Sequence, residues 1–115
     1  MVVNHIGDDY MRRMLGTTRQ YTIVILHRTS KRGESFADKV VWEHGRRNFE
    51  LRRDGLLCIV CPVIGDKSDV TGLCIFSTGM EETRKIMDED PAVKAGIFTY
   101  EAHSVDGFPG DALAA

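Results

Sequence analysis

Two periods of hydrophobic spacing alternate along the chain, and each change of period marks a new element. Tyr10, Met11, Met14 and Leu15 share one face of a short helix that Gly16 ends, inside a weakly patterned stretch, 1–19, that reads as an N-terminal extension. Residues 20–115 then read as one domain with a C-terminal tail. "YTIVILH", 21–27, is β-branched, apolar and too short for a helix, and the polar "RTSKRGES" closes it as the first strand. From 35 to 53 the period is helical and stops at Asp54-Gly55, where Gly supplies the left-handed conformation common at helix ends. At about 100° per residue, Phe36, Val40, His44 and Leu51 share one face of that helix, with Trp42 and Phe49 opposite.

"LLCIVCPVI" and "TGLCIFS" read as the second and third strands, joined by the polar "GDKSD" as an antiparallel hairpin. Thr78, with Glu81 three residues later, resembles a capping box that opens a second long helix through "GMEETRKIMDED". Its inward stripe is Met80, Thr83, Ile86 and Met87, and Asp90 continues it. "GIFTYEAH" supplies the fourth strand and "FPGDALAA" a Gly/Pro-marked tail. The order β-α-β-β-α-β predicts an α+β, ferredoxin-like fold: a four-stranded antiparallel sheet with both helices on one face. The strands are apolar on both alternating faces, whereas a sheet with one wet face alternates apolar and polar. Two helices cover one face only, so the other is covered by the N-terminal extension or by a second copy; the second copy is the simpler solution and is expected, giving a homodimer, with further assembly left open.

Composition adjusts this picture little. The 115 residues, 43% hydrophobic and 28% charged, suit one globular domain. A net charge of −2, with no basic run beyond Arg46-Arg47 and Arg52-Arg53, argues against nucleic acid as a partner. No apolar stretch approaches the ~20 residues that span a bilayer, and the first residues lack the order of a secretory signal. No membrane association and a cytoplasmic location are therefore expected. Three cysteines fit reduced thiols better than a disulfide framework.

Candidate chemistry centres on two side chains. His44, on the inward helix face, titrates near neutrality and serves naturally as a general acid or base, or else fills the core bonded to a carbonyl. Asp90 follows the inward stripe, although "DPAVKAG" also places it as an N-cap with Pro at the first helical position. Tyr21, opening the first strand, is a candidate substrate-binding donor or simple packing. Cys58 and Cys61 have redox spacing but sit in a strand, where core packing is the expected role. His27 and His103 end strands one and four and are expected at opposite ends of the sheet. No spacing supports a metal, and the 65–72 connection lacks the order of a phosphate loop, so no cofactor is expected. Trp42 and Phe49, left wet by this packing, would receive Tyr10, Met14 and Leu15 from the extension or mark a larger oligomer.

The segments "YTIVILHR", "EHGRRNFELRRDGLL", "CPV", "TGLCIF", "MEETRKIMDEDP" and "AVKAGIFTYEAH" together resemble the YCII-related domain family over roughly residues 20–103. The resemblance implies the fold of the dimeric α/β barrels, in which two ferredoxin-like sheets face each other. It also implies an active site made of a His on the first helix and the Asp of an Asp-Pro pair after the second, the positions of His44 and Asp90. A small enzyme is then expected, doing His/Asp proton transfer on a small organic molecule, of dehydrochlorinase or lactone-isomerase type. The competing expectation is a non-catalytic small-ligand-binding or structural dimerisation domain. The extension and the tail depart from the family's pattern, and either could roof or block a pocket.

Overall fold

The computed structural model describes residues 4–65 and 67–115. Residues 1–3 of the extension, and Asp66 in the hairpin connection, lie outside the described residues. The chain runs α1 (Asp8–Leu15), β1 (Arg19–Arg28), a 3₁₀ turn (Ser30–Gly33), α2 (Ala37–Arg53), β2 (Leu57–Pro62), β3 (Val70–Phe76), α3 (Met80–Asp88), α4 (Pro91–Lys94) and β4 (Phe98–Gly107). The four strands form one antiparallel sheet in the order β2-β3-β1-β4. This is the ferredoxin-like α+β arrangement on which dimeric α/β barrels are built.

The core lies between the sheet and the helices. Cross-strand neighbours Ala102, Val24, Cys74 and Val60 align across one face, where Leu26, Leu57, Phe76 and Phe98 complete the floor under α2 and α3. The opposite face carries Ile23, Ile25, Leu73, Ile75 and Ile59, all half-buried with no helix above them. The apolar pattern on both strand faces thus reflects one face filled by helices and one left open.

Several local expectations shift. Phe36 precedes α2 and is exposed, because Ala37 takes the buried first position. Thr78 does not cap α3: Gly79 is the N-cap, and the Thr78 hydroxyl turns inward to the Thr83 hydroxyl at 2.7 Å. The second long helix stops at Asp88, and a separate short helix starts at Pro91, the first helical position that the Asp-Pro pair marks in the sequence. β4 runs on to Gly107, which puts His103 in mid-strand. α1 forms where the spacing predicts it but buries none of its residues, and the molecule extends 59 Å along its longest axis.

Candidate active site

α2 presents His44 and Asn48, one turn apart, to the sheet together with the half-buried Val40, Val41 and Leu51. The His44 ring packs edge-on against Phe98 of β4, with centroids 5.1 Å apart and planes at 77°. Across from it, the chain between α3 and α4 is extended at Asp90 (φ −64°, ψ 133°), and that turn aims the carboxylate into the protein. Asp90 is only 1% exposed.

Each oxygen of that carboxylate has its own task. Oδ2 accepts the backbone N–H groups of Ala92 (2.9 Å) and Val93 (3.2 Å), capping α4. Oδ1 lies 2.7 Å from Nδ1 of His44. The Arg47 guanidinium adds positive charge, with Nη1 3.7 Å from Oδ1 and otherwise without a hydrogen-bond partner. A buried carboxylate is costly unless it is paired and hydrogen-bonded, and these three donors plus one cation meet that condition. Capping and imidazole binding, which the sequence presents as alternatives, are here performed by the two oxygens of one side chain.

Where Asp90 is ionised its Oδ1 accepts from Nδ1–H of His44, and in the neutral ring Nε2 is then the nitrogen with the lone pair. The Asn48 amide nitrogen lies 3.3 Å from Nε2 as a long donor to it. Beyond this pair opens a hollow of about 490 Å³ between α2 and the β2–β3 side of the sheet. Leu26, Val60, Cys74 and Phe98 give it apolar walls, and Arg32 and Arg52 are its cations. His44 is buried yet lines this space, so the ring is sheltered and still reachable. Burial pushes the Cys74 thiol up to about 12, with the nearby Cys61 and Asp90 adding to it, which keeps Cys74 a neutral wall.

The remaining candidates fall elsewhere. Tyr21 does not line this hollow. It stands on the open face beside Gly107, bordering a separate hollow with Ile59, Ile75 and the tail residues Phe108–Leu113. The tail therefore does not roof the His44 hollow. Cys58 sits at a register shift of β2 and is exposed, so of the three free cysteines only Cys74 is core. His27 and His103 are not at opposite ends of the sheet: Glu101 joins them, Oε1 at 2.7 Å from His27 and Oε2 at 2.9 Å from His103. Among the described residues no group of three or more His, Cys, Asp or Glu converges to hold a metal. Sequence reasoning missed Asn48 and Arg47. Their spacing of four and three from His44 was the available signal, since such residues neighbour one another on a helix.

No family model matches the chain, and no curated protein matches it. Among solved structures it is similar to the 5-chloro-2-hydroxyhydroquinone dehydrochlorinase TftG from Burkholderia phenoliruptrix AC1100, captured with 2,5-dihydroxybenzoquinone. The likeness has a TM-score of 0.57 at 15% identity, covering 72% of this chain and 90% of that one. At that identity it establishes the shared ferredoxin-like fold. No helix among the described residues is long and apolar enough to cross a membrane.

Proposed function

We propose that the chain is a small enzyme of the YCII-related kind that moves a proton on a small, electron-rich cyclic substrate, with His44 as base and then acid and Asp90 as its orienting carboxylate. The observation that carries this reading is the sharing of Asp90: a carboxylate fixed by two backbone N–H groups holds Nδ1 of His44, a residue that lines a sheltered hollow and whose Nε2 has only the long contact to Asn48 at 3.3 Å. A general base within hydrogen-bond reach of its proton, held in one tautomer by a partner, is the arrangement such chemistry requires.

In a dehydrochlorination, Nε2 takes a proton from a ring hydroxyl of the substrate. That proton is returned to the chlorine-bearing ring carbon, making it tetrahedral; loss of a second hydroxyl proton then forms C=O, shifts the ring electrons into a C=C bond and expels chloride with the C–Cl pair, so one HCl is lost overall and no oxidant is needed. In a lactone isomerisation the same nitrogen takes a proton from one carbon and returns it to another. The dehydrochlorinase neighbour supports the first version. The apolar walls of the hollow fit a ring, and Arg32 and Arg52 fit its phenolate or carboxylate oxygens.

The working unit in this proposal is a homodimer paired through the open sheet face, whose Ile23, Ile25, Ile59, Leu73 and Ile75 form a self-complementary apolar surface. The test offers 5-chloro-2-hydroxyhydroquinone to the protein and follows chloride release, alongside a histidine NMR titration of the wild type and Asp90→Asn. Chloride release that is lost in His44→Asn, together with a His44 titration that moves in Asp90→Asn, supports the reading. A His44 signal indifferent to Asp90 overturns it in favour of a ligand-binding or structural domain.

A further inference from the structure

The structure leaves two apolar surfaces of one chain without partners. One is the Tyr10, Met11, Met14 and Leu15 stripe of α1, of which Leu15 is 57% exposed. The other is a groove of about 640 Å³ along the outer face of α2, where Trp42 (71% exposed) and Phe49 (62%) flank Gly45. A glycine inside a helix costs stability relative to alanine, and at Gly45 an added Cβ would meet nothing within 4 Å, so the position leaves the groove open to an approaching backbone.

We propose that α1 of one copy lies in the α2 groove of a second copy and roofs the mouth of the second copy's His44 hollow. Charge favours this occupant and sets its direction. α1 has Asp8 and Asp9 in its first turn and Arg12 and Arg13 in its last, while the groove has the ion-paired Arg32 and Asp38 near the start of α2 and Arg46, Glu50 and Arg53 toward its end. An antiparallel α1 sets its acids by the arginine-rich end, and it also opposes the two helix dipoles. The stripe then meets Val41, Trp42 and Phe49 across Gly45.

The chain's own groove is a poor destination for its own α1. The groove runs along the outer flank of α2, a helix about 10–12 Å thick stacked on the sheet, and three linking residues span at most about 10–11 Å when fully extended. That link is also not free, since the Thr17 and Thr18 hydroxyls bond back to the carbonyls of Met14 and Leu15. The outer face of α2 is remote from the open sheet face, so the contact is compatible with pairing there.

Docking reaches the candidate site because the two cavities share a border. Arg32, Val41, Gly45 and Phe49 line both the outer groove and the His44 hollow. A helix seated on them shields the mouth of the hollow, as exclusion of water from proton-transfer sites requires. The roofing role rests on the chemistry proposed for His44, whereas the docking does not.

Trp42 is the single tryptophan of the chain and reports on the groove directly. The test measures acrylamide quenching of its fluorescence in the full chain across a dilution series, in Leu15→Glu and Met11→Glu, and after mixing Leu15→Glu with a Trp42→Phe chain whose α1 is intact. Docking between copies predicts a quenching constant several-fold lower in concentrated wild type than in either α1 variant. It also predicts that adding the Trp42→Phe chain restores shielding to Leu15→Glu. Free quenching of Trp42 at every concentration overturns the proposal. So does shielding in the wild type that mixing fails to restore, which would place the chain's own α1 or another segment in the groove. Chloride release by His44→Asn reads the catalytic proposal separately, because that substitution leaves both docking surfaces intact.

Discussion

The two faces of the sheet each hold a histidine 2.7 Å from a carboxylate, and the pairs do different things. On the covered face, His44 has one nitrogen on the buried Asp90 and lines a hollow. On the open face, His27 has Nδ1 on Asp69 and Nε2 on Glu101, so both nitrogens are taken by acids. Those hydrogen bonds, Asp69 first and then Glu101, raise the His27 pKa above its ordinary value of 6.5. The bonds from His103 and then His27 lower that of Glu101 below 4.5. A histidine clamped by two acids is a charged tie between β1, β4 and the β2–β3 connection. His44 has an acid on one nitrogen only and the long Asn48 contact on the other, the nitrogen that the proposed chemistry uses.

The largest effect separating the two is on turnover. His44→Asn should lower chloride release by about 10²- to 10⁴-fold, the ordinary worth of a general acid–base group, with the circular dichroism spectrum unchanged. His27→Asn should leave turnover near wild type, and an equal loss in both would erase the distinction.

Asp90 sharpens the comparison through its second task. Asp90→Asn retains a capping oxygen, and Asp90→Ala removes it, so urea unfolding should show the alanine variant about 1–2 kcal/mol less stable than the asparagine one. Equal stabilities would mean that the cap is idle. Ile25→Glu, which sets like charges across the proposed pairing face, should weaken self-association by about tenfold or more in sedimentation velocity. An unchanged dimer would move the pairing surface elsewhere.

The smallest effect depends on pH. Because His27 has its folded value raised, its stabilisation is complete below 6.5 and is lost as pH rises through the raised value. Glu101, lowered in the folded state, stabilises above 4.5 and loses this as pH falls through its folded value. The melting temperature of His27→Gln should therefore lie a few degrees below wild type at pH below 6.5, and the gap should close as the pH rises through the raised His27 value. A gap that persists at high pH would assign His27 to packing.

The alternation of periods made the element order and the placement of His44 on the inner face of α2 legible in the chain itself. Asp90 was legible twice over, as cap and as continuation of an inward stripe, and the two readings looked exclusive because spacing does not show that a carboxylate's oxygens can point to different partners. The side of the sheet on which Tyr21 stands was not legible, for a related reason. A strand apolar on both sides hides its parity, and only the burial of Thr22 and Val24 under the helices shows that Tyr21 faces the other way. The link between His27 and His103 depends on strand register, which pairs Ile23 with His103 and His27 with Thr99 and which no local pattern encodes. Asn48 and Arg47 passed unnoticed because a polar residue on the inner side of a mostly polar helix reads as surface until something is seen to pack against it.

The shared carboxylate also bears on how a descendant of this chain would lose the chemistry proposed for it. A lineage no longer using the proposed reaction would lose the catalytic demand on His44, though not its packing or its bond to Asp90, and it would keep Asp90 and Pro91, because α4 still needs its first turn tied. The Asp-Pro pair would outlive the activity as a relic of architecture. In sorting working from silent relatives, the histidine is therefore the informative position, and the aspartate beside it marks only that the fold has survived.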